Sequence, residues 1–228
     1  LPATNPRETM KTKGAIAAGH PETANAARLI LEEGGNAFDA ALAAMCVACV
    51  AEPVLASLGG GGFLLARPAG GAIDVLDFFT HTPMHCRAEA EIEFFPILAD
   101  FGTVTQEFHI GMGSMATPGT VKGLFEAHRA LVSMPMSRIV EPAVSLARHG
   151  VAINRFQAYI LGVVGRIYVS NRECRDLFGG VDENDKPMGE GSKLHRPEFA
   201  DTLEALAREG EDLFYRGEVA RHITEDCR

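Results

Sequence analysis

Between Gly34 and Phe63 the chain runs from a Gly-Gly pair through Asn36-Ala37-Phe38-Asp39 and an alanine-rich stretch to Glu52-Pro53, then into four consecutive glycines, Gly59 to Gly62. No other feature limits the fold as much. Gly34-Gly35 ends one helix, because glycine alone enters the left-handed conformation at a helix C-terminus without steric cost. Asn36 can cap the next helix, with Asp39 three residues on. The stretch from Ala40 to Ala51 is too small and apolar for a solvent-facing helix and predicts a buried one. The four glycines then open a strand at Phe63 to Arg67, and without Cβ atoms their amides can approach another segment or a developing negative charge closely.

The same signals give a coarse layout of alternating helices and strands, free of repeats and low-complexity tracts. A helix is predicted over Pro21 to Glu33, and the strand from Phe63 pairs with Ile73 to Phe78 as a hairpin around Pro68-Ala69-Gly70-Gly71, both strands in the core. Thr117 is the expected N-cap of a helix from Pro118 to about Leu131, which carries His128 as a surface or packed residue. Further helices are predicted over Ser137 to His149, Phe156 to Val169 and Pro197 to Glu209, stopped by Gly150 and Gly210. Asp182 to Pro187 is a charged, solvated turn rather than a calcium loop, since it lacks the regular spacing of oxygen ligands. Glu107 and His109 fall on one face of an extended segment, in a structural or substrate-lining role rather than as a metal pair.

A chain of 228 residues with 46% hydrophobic residues can bury a substantial core, and one domain spanning 1–228 is expected. A net charge of −9 without any basic run argues against nucleic acid, whose phosphates demand clustered Lys and Arg. The Ala40 to Ala51 stretch is far below the ~20 residues that cross a bilayer, so no membrane partner is expected. The five cysteines, Cys46, Cys49, Cys86, Cys174 and Cys227, lack the spacing of a disulfide framework. They favour a reducing, cytoplasmic compartment over a periplasmic one. Cys46 and Cys49 form a CxxC, but inside an alanine-rich helix and without a second pair they are buried small apolar residues. The glycine run precedes a strand and follows a helix, the reverse of a phosphate-binding loop, which makes a nucleotide-binding module the weaker reading.

The block from Gly34 to Phe63 resembles the large-subunit sequences of the γ-glutamyltranspeptidase family, with their GGNAxDAA segment, VxEP step and GGGGF loop. Ala116-Thr117-Pro118-Gly119-Thr120-Val121-Lys122-Gly123-Leu124 is similar to the family's ATPGxVxGL segment. Glu141-Pro142-Ala143 with Ala147-Arg148 and Gly150, and Asp212 to Gly217, are similar to its EPAIxLAxxG and FYxG stretches. The resemblance runs from about Gly14 to the end. It implies an α+β fold, the αββα sandwich of an N-terminal-nucleophile hydrolase, of which this chain is the large-subunit part with a helix-rich C-terminal half. It also implies a small subunit from the same precursor as partner, in a heterodimer that can pair again, with a threonine nucleophile at that subunit's N-terminus and no catalytic residue in this chain. The implied activity is cleavage of γ-glutamyl or related acyl amides of small molecules through an acyl-enzyme, without metal or cofactor. An inactive binding or structural relative is the non-catalytic alternative.

In the family an LDxRExAP segment supplies an arginine that grips the α-carboxylate of the γ-glutamyl group. The matching residues here are Leu76-Asp77-Phe78-Phe79-Thr80-His81-Thr82-Pro83, with Phe79 at the arginine's position. Phe79, Thr80 and His81 are therefore the expected substrate-binding residues. A phenylalanine cannot make a guanidinium's bidentate contact, and losing one typically costs ~2–5 kcal/mol. Three readings follow. Arg87 or protonated His81 replaces the arginine; or the pocket accepts another acyl group, as in cephalosporin or glutaryl acylases; or Phe79 is a packed core residue, Phe78 being offset by one position.

Overall fold

The computed structural model describes residues 14–85, 87–179 and 187–227. Its helices and strands follow in the order α1 (Pro21–Glu32), α2 (Ala37–Ala51), β1 (Phe63–Ala66), β2 (Asp74–Asp77), β3 (Phe95–Asp100), β4 (Thr105–Ile110), α3 (Thr120–Leu131), α4 (Met136–His149), β5 (Val151–Ala152), α5 (Arg155–Tyr168), α6 (Arg172–Phe178), β6 (Lys193–Leu194), α7 (Pro197–Glu209), α8 (Asp212–Tyr215) and α9 (Glu218–Asp226). Each strand pairs antiparallel with one neighbour, β1 with β2, β3 with β4 and β5 with β6. The fold is α+β and helix-rich after residue 120. Cys86 and most of the charged Asp182 to Pro187 turn lie outside the described residues.

Helix α2 is the centre of the core because nearly every side chain on it is small and apolar. Ala40, Leu42, Ala43, Cys46, Val47, Cys49, Val50 and Ala51 are all buried. It packs against α1, α3 and α4, while α4 packs in turn against α7. The Asn36–Asp39 capping box forms as expected: Asn36 Oδ1 accepts from the amides of Phe38 and Asp39, and Asp39 Oδ2 accepts from Asn36 N at 2.6 Å. Asp39 does more than cap. It is fully buried and also accepts from Ser133 N at 2.9 Å, Ser133 Oγ at 2.6 Å and Met134 N at 2.8 Å, in the segment that joins α3 to α4. Burial pushes its carboxyl pKa up, but these four donors together outweigh burial and leave it below the usual aspartate value.

The other end of α2 is held by the helical half of the chain. Arg196, which opens α7, donates from Nη1 to Cys49 O at 2.9 Å, and Gln157 on α5 donates from Nε2 to Ala51 O. Carbonyls orphaned at a helix C-terminus thus find a cation and an amide, the partners they favour. Thr23 on α1 donates to Glu52 Oε1 at 2.7 Å just beyond the helix. The loop from Pro53 to Gly62 therefore leaves from a fixed point.

Two expectations need correction. Thr117 is not a helix cap: α3 begins at Thr120 behind Gly119, with no side-chain cap bond, because the Thr117 backbone pairs instead with His81, N to O at 2.7 and 3.1 Å. The strands β1 and β2 are not both wrapped by core. One face of the hairpin, bearing Leu64, Ala66, Leu76 and Phe78, turns inward, while Phe63, Leu65, Ile73, Val75 and Phe79 on the other face are each more than half exposed. The predicted stops are present, with Gly34, Gly150 and Gly210 at φ of 97°, 81° and 84°. His128 is a packed helix residue whose Nε2 lies 2.9 Å from Met134 O.

Candidate functional site

The glycine loop is held on two sides by backbone. Gly62 N donates to Phe78 O at 3.2 Å and Phe78 N returns a bond to Gly62 O at 3.0 Å, which extends the β1–β2 ladder past both strand ends. On the other side Gly60 O accepts from Gly119 N at 2.8 Å and Thr120 N at 3.0 Å, the first amides of α3. Tyr215 on α8 steadies that helix start, donating to Pro118 O and accepting from Lys122 N, both at 3.0 Å. The glycines are needed for close approach: a Cβ on Gly61 would stand 2.6 Å from Thr80 N and 2.7 Å from Phe78 O. Among the residues from Gly59 to Gly62, none has a positive φ, so contact rather than backbone strain explains the composition.

Phe78 and Phe79 point to opposite faces, as strand alternation requires. Phe78 lies against Gly62 and Gly123, where the absence of side chains makes room for its ring. Phe79 is 54% exposed, and its ring stacks on that of Phe63 with centroids 5.6 Å apart and planes at 15°. Its amide donates to Asp77 Oδ1 at 3.0 Å. The reading of Phe79 as a core residue is thereby overturned; Phe78 fills that place. Thr80 is half-buried behind Gly61, and His81 is exposed and held by the Thr117 pairing. The three expected substrate-binding residues thus follow one another along the strand extension beside the glycine loop. Arg87, the proposed substitute cation, donates from Nη2 to Cys227 O at 3.2 Å.

Beneath the glycine loop lies a cavity of about 390 Å³, walled by Met45 and Cys49 of α2, the loop from Pro53 to Ser57, Phe63, Phe78, Thr120 and Tyr168. Phe63, Phe78 and Tyr168 were not singled out as site residues by sequence. Gly123, six residues after Thr117 in the matched segment, was the available signal, since a glycine kept within a helix can mark a packing contact. Another space of about 410 Å³ lies between α4 and α7. Its rim carboxylates Glu141 and Glu204 already pair with Arg138 and Arg148, so it presents little free chemistry.

Cys46 and Cys49 are unpaired, buried thiols; burial pushes Cys49 up to about 12 and Cys46 higher still. That is the chemistry of packed residues, not of a redox pair. Glu107 and His109 approach to 3.5 Å, and the His109 ring stacks on Phe94 with centroids 4.2 Å apart. Among the described residues no group of three or more metal-ligating side chains gathers, and no helix is long and apolar enough to cross a membrane.

The sequence is 35% identical over 202 residues to the glutathione hydrolase proenzyme of Escherichia coli (strain K12), covering 86% of this chain and 33% of that protein. It is 29% identical over 220 residues to the acylase ACY 1 proenzyme of Pseudomonas sp. (strain SE83), covering 94% and 38%. The chain thus spans little more than a third of the length of these relatives. Its fold is similar to that of the Helicobacter pylori γ-glutamyltranspeptidase crystal structure, with a TM-score of 0.79 and 26% identity over 99% of this chain and 61% of that one. The expected class, the large-subunit part of an N-terminal-nucleophile hydrolase, is the class of the structures it resembles. The Gamma-glutamyltranspeptidase family profile matches residues 23–228, nearly the whole of the chain, and the chain belongs to the γ-glutamyltranspeptidase family.

Proposed function

We propose that this chain is the large subunit of a heterodimeric amidohydrolase or acyltransferase that cleaves γ-glutamyl or related acyl amides. The observation that carries this reading is the pairing of the glycine loop with the Phe78 to His81 segment, in a chain similar to both glutathione hydrolases and an acylase. The nucleophile is a threonine at the N-terminus of the partner small subunit. Its hydroxyl oxygen attacks the amide carbonyl while its own α-amine takes the proton. The C–N bond breaks, and the leaving amine departs with that proton. Water or a second amine then attacks the ester, which frees the threonine. This subunit supplies the wall of the acyl pocket and holds the acyl group in register with the nucleophile.

The open face of the β1–β2 hairpin supports the heterodimer. Apart from the Phe63–Phe79 pair beside the glycine loop, three large apolar side chains of this face, Leu65, Ile73 and Val75, are each more than half exposed. A contiguous apolar sheet face of this kind is covered in a stable protein, and a facing sheet of the small subunit is its occupant in this reading. Among the described residues Cys46, Cys49, Cys174 and Cys227 are unpaired, which supports a reducing, cytoplasmic location.

Phe79 favours a second reading of the substrate, an acylase with an altered acyl pocket. Both readings are tested by product release from matched γ-glutamyl and glutaryl anilides with the complete, self-processed protein, the intact mass being read on both subunits. Phe79→Arg is expected to raise the ratio of γ-glutamyl to glutaryl turnover; an unchanged ratio refutes the placing of residue 79 at the acyl α-carboxylate. A complete protein that neither self-cleaves nor releases product establishes the non-catalytic alternative.

A further inference from the structure

Helix α3 starts without a cap of its own. The Thr117 backbone is taken by its pairing with His81, and Gly119, the residue in the cap position, has no side chain to offer. It cannot carry one, because a Cβ on Gly119 would fall on Phe78 O and stand 2.9 Å from Phe79 O. The Phe78 to His81 segment thus lies so close to the helix start that a side-chain acceptor has no room, and the amides of the first turn need partners from elsewhere. Gly60 O accepts from Gly119 N and Thr120 N at 2.8 and 3.0 Å, and the Tyr215 hydroxyl accepts from Lys122 N at 3.0 Å. Lys122 is the third residue of the helix, whose amide an N-cap serine or aspartate would otherwise satisfy.

The Asp212 to Gly217 stretch is shaped to deliver that hydroxyl. Phe214 is buried and anchors α8, with its ring inclined at 69° to that of Tyr215 and 5.1 Å from it between centroids. Gly217 lets the chain turn away tightly, since a Cβ there would stand 2.8 Å from Leu213 Cα. Glu211 accepts from Lys122 Nζ at 3.0 Å and from Arg129 Nη1 at 3.1 Å, which fastens α8 along α3. The Tyr215 hydroxyl makes a second bond, donating to Pro118 O at 3.0 Å. Burial above all, with the Glu211 carboxylate adding to it, pushes its pKa up, so it keeps the proton that it donates.

We propose that Tyr215 is a positioning residue of the acyl-transfer site: its hydroxyl stands in for the helix cap that Gly119 cannot supply, and so fixes the glycine loop and the Phe78 to His81 segment. This rests on the acyl-transfer reading above and names what keeps that site in register. Removing the hydroxyl leaves Lys122 N without its acceptor and Pro118 O without its donor. Both losses fall within the Thr117 to Lys122 stretch, which meets the glycine loop at Gly60 O and the segment at His81 and Phe78. A shift of that stretch moves loop and segment together relative to the partner's nucleophile, and small misplacements at a reacting centre are costly in rate.

The test compares Tyr215→Phe with Ser133→Ala in the complete, self-processed protein. Ser133→Ala also deletes a bonded hydroxyl, the one that donates to Asp39 Oδ2 at 2.6 Å, but beyond the opposite end of α3. Turnover of the better of the γ-glutamyl and glutaryl anilides is read per nucleophile able to form acyl-enzyme, counted by intact mass. Tyr215→Phe is expected to lower kcat about tenfold or more with KM within about threefold, since register matters more in the transition state than in binding; Ser133→Ala should keep both within about threefold. Hydrogen exchange of peptides covering residues 59–62 and 117–123 should quicken about tenfold in Tyr215→Phe, with α2 peptides unchanged. An unchanged kcat, an equal loss of kcat in both variants, or a change confined to KM overturns the positioning role. So does a Tyr215→Phe protein that fails to fold, since its hydroxyl then holds the whole fold rather than the site. If Tyr215→Phe folds without self-processing, exchange is read on the unprocessed chain: quickening at both stretches supports the inference, and its absence overturns it. Absence of turnover by the unaltered protein on both anilides overturns the acyl-transfer reading, and the same exchange pattern then supports or overturns the Tyr215 cap by itself.

Discussion

Replacing Asp39 by alanine removes the acceptor for four donors at once, the amides of Asn36, Ser133 and Met134 and the Ser133 hydroxyl, at a fully buried position. Hydrogen bonds to a charged group are worth ~1.5–3 kcal/mol each, but the variant is also relieved of the carboxylate's burial, so their sum overstates the loss. A donor left without its acceptor costs ~1–3 kcal/mol, and with four donors affected we expect ~3–4 kcal/mol here. Asp39→Asn keeps the shape but turns an amide donor towards other donors, so it should rescue little. The pH dependence has a definite sign. Because the folded-state carboxyl lies below its ordinary value, its contribution is fully present above the unfolded value of about 3.9. It is lost as the pH falls through the lower folded value. Denaturant unfolding of wild-type and Asp39→Ala complete protein from pH 7 down to pH 3.5 should show a constant gap above pH ~5 that narrows below pH ~4. A gap under 1 kcal/mol at pH 7, or one that does not narrow in acid, refutes the reasoning.

Gly123→Ala should cost ~2 kcal/mol, because the new Cβ falls inside contact distance of the Phe78 ring, whereas Gly189→Ala, which meets nothing within 4 Å, should stay within ~0.5 kcal/mol; thermal unfolding of the two variants decides this. If Gly123→Ala proves as mild as Gly189→Ala, the Phe78 packing described here is wrong. In native protein at pH 8, Cys46 and Cys49 should resist iodoacetamide until denaturant is added, since thiols with pKa values pushed this far up carry almost no thiolate; peptide mass mapping that finds both alkylated in native protein refutes their burial.

Local chemistry made α2 legible in the sequence. Asn36, Asp39 and the run of small residues after them announce a capped, buried helix within eight positions, and the structure places that helix at the centre of the core. The partners of Asp39 were not legible, because Ser133 and Met134 lie more than ninety positions away. Thr117 failed as a predicted cap for the same reason. Its local sequence suits an N-cap, but His81 claims its backbone, and no local pattern records that pairing. At the candidate site, alternation showed that Phe78 and Phe79 face opposite ways but not which one turns inward. The missing side chains of Gly62 and Gly123 decide it, and only the folded chain brings those two glycines to the same ring.

Four successive glycines suggest a flap that opens and shuts, yet the loop from Gly59 to Gly62 is bonded to the strand end at Phe78 on one side and to the start of α3 on the other. Its amide hydrogens at Gly62 and Phe78 belong with the slowly exchanging core rather than with a mobile surface segment. The conformational freedom that glycine gives the unfolded chain is surrendered on folding and does not return as motion. The loop can shape a bound molecule but not swing over it, so any movement that admits substrate or releases product belongs to other segments.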